Sequence, residues 1–241
     1  MKTPSRRSPA FPRTRSAILW LAAAVGAVSA GRGTDLSPGI LPNSGLEIAF
    51  NESAFAPWAR DLMTSVEQRL KVTPAHDASG LKLLLGMQVH LALHFSDDSR
   101  ALDAARQIQG LQMTPGDRNV TGLITEAIVQ ARAGRKDVDP ASLSDQVEIV
   151  LAKSLGGLPR NPANREAIQR SRDKLAAITE ESLLARICGE IAKIPKGAPC
   201  SLELADQLVR IRHQLILMLP LRDGMLRAHY QTLAGYSGDL R

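Results

Sequence analysis

His90 and His94 stand four residues apart in the segment GMQVHLALHFSDD, with Asp97 and Asp98 just beyond. On a helix this spacing puts two imidazoles on one face with about 6 Å between their Cβ atoms. Two neutral imidazoles so placed are the beginning of a transition-metal site. A third ligand would have to come from His76, Asp98 or a residue of another helix such as His213. Zinc peptidases place a Glu between paired histidines on a helix; here the intervening residues are Leu91, Ala92 and Leu93. The competing reading is geometric. At 100° per residue, Lys82, Gly86, His90 and His94 fall on one strip of an otherwise apolar helix, and the strip then serves as a narrow solvent face.

Other reactive groups have simpler explanations. Asp97-Asp98 precede a helical pattern, where an acid caps exposed backbone N–H groups and meets the positive end of the dipole. Ser79-Gly80-Leu81-Lys82 matches S-x-x-K, but its S-D-N and K-T-G companions are absent from the sequence. The sequence has no C-x-x-C-H, P-loop, G-x-G-x-x-G or EF-hand loop, so no cofactor is expected. Cys188 and Cys200 are the only cysteines, and Pro195 and Pro199 lie between them. If the chain is exported, the pair is expected to form one disulfide across that turn.

The elements that would position these groups read as helices. Three starts are marked by a cap residue followed by proline: Thr114-Pro115, Asp139-Pro140 and Asn161-Pro162. The cap accepts an orphan backbone N–H, and proline lacks the N–H that would have gone unpaired. Gly134 and Gly156-Gly157 mark stops. Between these marks, Val120, Leu123, Ile124, Ala127, Ile128 and Ala131 form one apolar stripe. Leu143, Val147, Val150 and Leu151 form a second, Leu184, Ile187, Ile191 and Ile194 a third, and Leu204, Leu208, Ile211, Leu215 and Met218 a fourth. Each must bury against a neighbour. Glu166 with Arg170, Asp206 with Arg210 and Glu190 with Lys193 have the spacing of solvated ion pairs. Trp58 beside Leu62 reads as a core anchor.

Helices are expected near 54–71, 79–95, 98–112, 115–133, 140–155, 162–178, 180–194, 201–219 and 221–234. The pattern predicts an all-α fold, either an irregular multi-helix bundle or a stack of antiparallel helical hairpins. No copy of Ala101–Asp117 recurs 34 residues away on either side, so a regular solenoid is not indicated. Residues 31–50 contain Gly, Pro, Ser and Asn without periodicity (GRGTDLSPGILPNSG) and read as a flexible leader ahead of one helical domain, 51–241.

Residues 1–30 read as an export signal. Lys2, Arg6, Arg7, Arg13 and Arg15 precede an apolar run of 14 residues, Ala17–Ala30, ending in Val28-Ser29-Ala30. A basic start, a short apolar stretch and small residues at the cleavage point are the parts of a secretory signal. A membrane span needs about 20 apolar residues. Ser5-Arg6-Arg7 leaves Sec and twin-arginine routes both open. The signal also accounts for the charge. The chain carries 30 Lys and Arg against 24 Asp and Glu, and five of the basic residues precede the cleavage point. The remainder has a net charge of +1, no basic run and few aromatics to stack bases, which argues against nucleic acid as a partner.

The expected protein is therefore an exported helical module, periplasmic or extracellular, with no stable membrane span after cleavage. It would bind another protein or assist envelope assembly, without catalysis. The alternative is a metal-binding protein or metal-dependent enzyme using His90 and His94. Mass spectrometry of the protein taken from its native host should show a chain starting at Gly31 or within a few residues of it. A full-length chain held in the membrane would contradict the signal.

Overall fold

A computed structural model describes residues 39–111, 115–133, 139–179, 181, 185 and 189–239; the side chains of 115–119, 121, 217, 218 and 237–239 are not described. The expected signal, residues 1–30, lies outside the described residues, as do Thr114, Gly134 and most of the helix expected over 180–194. Among the described residues there are nine helices and no strand. They are α1 (Gly45–Phe50), α2 (Glu52–Val72), α3 (Ala78–His94), α4 (Asp98–Gly110), α5 (Pro115–Arg132), α6 (Pro140–Gly156), α7 (Pro162–Ala176), α8 (Leu202–His213) and α9 (Leu219–Asp239).

Local chemistry sets most of the boundaries. Asp139 accepts the Ala141 and Ser142 N–H groups at 2.9 and 3.2 Å, and Asn161 accepts that of Asn164 at 2.8 Å, each with proline in first position. Asp97 caps α4 through the Arg100 N–H at 3.1 Å. Gly157 ends α6 in right-handed backbone, φ −78°, so this stop uses no left-handed glycine. Each of these contacts offsets part of the cost of unpaired helix ends.

Consecutive helices from α1 to α6 pack on one another, while α9 lies against α6 and α7, and α8 lies against α3 and α1. Two apolar clusters result. The first joins α1–α4 and α8, with Phe55, Trp58, Met87, Leu91 and Leu208 at its centre. The second joins α5, α6, α7 and α9, around Val147, Leu151, Ile168, Leu221 and Met225. Trp58 is a core anchor as expected, 4% exposed.

Of the expected disulfide only Cys200 is described, with a buried thiol whose pKa burial pushes up and Sγ 3.7 Å from Ser201 O; Cys188 lies outside the described residues. Two expectations need correction. The first is the leader. Residues 39–50 are held in the fold, because backbone pairing and apolar burial act together. Leu41 N–H donates to Ala198 O and Gly197 N–H donates to Leu41 O, both at 2.9 Å, and Leu41, Ile48 and Ala49 are buried. Gly197, at φ +79°, makes the turn that brings residues 194–200 to this segment. The second is the boundary expected between helices over 201–219 and 221–234. The helix runs from α8 into α9 through a π-helical segment, Gln214–Met218.

Two of the surface pairs also differ. Glu166–Arg170 forms at 2.7 Å. Asp206–Arg210 forms at 2.7 Å too, but Asp206 is buried rather than solvated, and burial raises its pKa despite Arg210. Glu190 accepts a hydrogen bond from Gln207 at 3.1 Å instead of facing Lys193.

The crossing of α6 and α9 depends on Gly224. Its N–H donates to Ser144 Oγ at 2.9 Å, and a Cβ there would collide with the Ser144 backbone carbonyl. Gly224→Ala should therefore separate the two helices and destabilise the protein by about 2–3 kcal/mol, lowering Tm by roughly 5 °C or more. A methyl group added at Gly86 in α3 would meet nothing within 4 Å. Gly86→Ala should stabilise by about 0.5–1 kcal/mol, since it lowers unfolded-chain entropy without a clash. Thermal unfolding of both variants checks the pair; a harmless Gly224→Ala would refute the close crossing.

Candidate functional site

The two histidines of α3 end up with different partners. His94, at the last turn, directs Nε2 to Glu52 Oε1 at 3.1 Å and sets its ring edge-on to Phe55 at 4.6 Å. Glu52 is shared: it also pairs with Arg212, which is 5% exposed, donates to Ala49 O at 3.1 Å and lies 4.3 Å over the Phe55 ring. A buried guanidinium needs such compensation on every side. The Arg212–Glu52–His94 chain thus ties α8, α2 and α3 together, with the carboxylate in the middle. Desolvation lowers the His94 pKa, and Arg212 and Arg132 lower it further, against the pull of Glu52. The ring is accordingly neutral at pH 7 and donates Nε2–H to the carboxylate.

His90, one turn earlier, faces α8. Its ring centroid is 4.0 Å from that of His213, at 40°. His90 Nδ1 is inaccessible to water and has no hydrogen-bond partner among the described residues. Burial, helped by Arg210, lowers the His90 pKa to about 3. Burial also lowers His213, followed by the effects of His90 and Arg132. The strip Lys82-Gly86-His90-His94 is part-exposed along its length, with α8 and α2 packed against its C-terminal half.

These two imidazoles line a pocket of about 240 Å³ at the seam between the apolar clusters. Val89 and Leu93 of α3, Ile124 and Ile128 of α5, and Ile178 supply apolar wall; Thr125, Ser171, Arg210 and Gln214 supply polar groups. The π segment starts directly after His213. Leu219 N–H donates to Gln214 O, one residue beyond the α-helical register. This adds a residue to the turn and alters the angle at which His213 and Gln214 leave the helix.

Ser171 of the pocket wall meets a further histidine. His229 Nε2 lies 3.1 Å from Ser171 Oγ, and Nδ1 lies 2.6 Å from Met225 O. The carbonyl can only accept, so Nδ1 carries the proton and Nε2 accepts from the serine. This is the tautomer a general base needs, with a backbone carbonyl as orienting group. Its setting is structural. His229 is fully buried, burial lowers its pKa, and Ser171 lies within α7, where backbone N–H groups are committed to helix bonds and offer no oxyanion hole.

Of the expected metal pair, the structure pairs His90 with His213 and gives His94 to Glu52. His76 is exposed on the α2–α3 turn, away from both. Among the described residues no group of three or more His, Cys, Asp or Glu converges on one point. Sequence reasoning missed His229 and Arg212, and read Arg210 only as half of a solvated pair. The signal for Arg212 was available: Leu208, Arg212 and Leu215 share a helical face, and a charge inside an apolar stripe needs a buried partner.

The four depressed histidines, His90, His94, His213 and His229, fix the sign of the acid response. Each has a folded pKa below its unfolded value, so the unfolded chain takes up protons first. Stability should be fully present above about pH 6.5 and should fall progressively toward pH 3. Thermal unfolding at pH 7.5 and pH 4.5 checks this, with His90→Gln expected to flatten the dependence. An unchanged Tm across that interval would contradict the neutral, buried imidazoles.

Compared with known proteins, the chain matches no family model, no curated sequence and no solved structure.

Proposed function

We propose that the protein is an exported, non-catalytic helical module that binds another protein of the periplasm or cell surface. Export rests on the basic, apolar and small-residue order of residues 1–30. The observation that carries the binding role is an open cleft of about 550 Å³ between α5 and α6. Leu123, Ile149, Val150 and Leu158 line it, Lys153 is the charged residue on its wall, and Ile149 is 65% exposed. An apolar side chain of that size held in a concave surface suits an apolar anchor from a partner segment.

The absence of catalysis in this reading rests on the setting of the reactive groups. Ser171–His229 is a satisfied packing pair, and Asp97 is used as a helix cap. A metal bound by His90 and His94 has less support, because Glu52 and Phe55 already engage His94. No helix among the described residues is long and apolar enough to cross a membrane.

A photo-crosslinking amino acid at position 149, introduced in the native host, tests the proposal. The expected result is one discrete protein adduct that is absent with the crosslinker at exposed Arg165 and lost when Leu123→Glu is added. Equal labelling at both positions, or none at 149, would refute it. Leu123→Glu should leave Tm within about 2 °C of wild type, as the side chain is only partly buried.

A further inference from the structure

The pocket at the seam of the two clusters is separate from the α5–α6 cleft and has a chemistry of its own. At about 240 Å³ it exceeds the roughly 150 Å³ that accommodates a benzene ring. Its walls offer the flat faces of His90 and His213 and the branched side chains of Ile124, Ile128 and Ile178. No carboxylate is among the described residues that line it, and one guanidinium, Arg210, is. Asp206 engages Arg210 through Nε at 2.7 Å, and a guanidinium has four further N–H donors on its terminal nitrogens.

Two independent features point to what would enter. His90 Nδ1 is a buried polar atom with no partner among the described residues, a state that is unfavourable unless another group meets it. The field at the imidazoles is positive, since Arg210 acts on His90 and Arg132 on His213. A positive field with no acidic ligand opposes a metal cation and favours an anion. The apolar walls ask for an apolar body, and a guanidinium suits a carboxylate, which it can meet with two parallel hydrogen bonds.

We propose that this pocket binds a small aromatic carboxylic acid as its anion, with the carboxylate on Arg210 and the ring between the imidazoles and the α5 isoleucines. A single substituted ring fits within the pocket volume of about 240 Å³. The site is independent of the protein-binding cleft, so either can exist without the other.

Isothermal titration of the protein isolated from its host, with benzoate, benzamide and zinc in separate runs, tests this. Benzoate is expected to bind one to one, and benzamide about tenfold more weakly or less, because it lacks the charge that Arg210 pairs with. Arg210→Gln, at a half-exposed position, should weaken benzoate about tenfold and leave benzamide unchanged. Histidine NMR should show the His90 and His213 resonances moving with benzoate while His76 stays fixed. Equal affinity for acid and amide, an unaffected Arg210→Gln variant, or no saturable benzoate binding below about 10 mM would overturn the proposal. Zinc that binds the same histidines and displaces benzoate would overturn it in favour of a metal site.

Discussion

A proline inside a helix removes one backbone donor and pushes its ring against the preceding turn. Pro220 does this in the middle of a helical stretch that runs from Leu202 to Asp239 and belongs to both apolar clusters. The chain resolves the conflict with the π segment Gln214–Met218, directly upstream, in place of a break. The wider turn shifts the helical phase between the two halves. Upstream, Ala205, Leu208, Val209 and Ile211 face the first cluster; downstream, Leu221, Met225, Ala228 and Tyr236 face the second. A regular α-helix through 214–218 would put one of these stripes out of phase with its core.

The seam between the clusters inherits its chemistry from this arrangement. His213 and Gln214 stand where the α-register ends, opposite His90 on α3 and Ser171 on α7. The surrounding charges are mostly cationic: Arg132, Arg210 and Arg212 each act on at least one of the nearby histidines. Each is met by an acid, and Glu52 touches His94 itself. Glu52 holds Arg212, Asp206 holds Arg210, and Asp98 acts on Arg132. The imidazoles are kept neutral chiefly by burial, with the arginines adding to it, a state suited to packing and hydrogen bonding rather than to proton transfer near pH 7.

Much of the fold was legible because its signals are local. Asp139-Pro140 and Asn161-Pro162 encode their own helix starts within four residues, and the stripe around Val147 and Leu151 needs only the helical period to be seen. What the sequence did not disclose depends on which helices meet. His90 with His213, Arg212 with Glu52, and Ser171 with His229 are each pairs from different helices, separated by more than fifty residues. Asp206 illustrates the limit well. Its i, i+4 partner was readable, yet nothing within α8 says that the acid is inside the protein. The segment 39–50 was missed in two ways: its backbone bonds to residues 194–200 leave no side-chain pattern, while the Ser44–Glu47 capping box that starts α1 was a readable signal left unused.

The burial of Asp206 bears directly on how the seam pocket would respond to a ligand. Asp206 Oδ2 engages Arg210, while Oδ1 is buried without a partner and burial raises the acid's pKa. The pair is therefore an incompletely compensated one, and the guanidinium's field is only partly cancelled at the pocket wall. A carboxylate arriving at the terminal nitrogens of Arg210 would compete with Asp206 for the same positive charge. Moving the guanidinium away would leave Asp206 buried and less neutralised, so it favours the protonated acid. In the proposed complex, anion binding and proton uptake by Asp206 would be coupled through one arginine, and the sign of that coupling would be a higher anion affinity at lower pH.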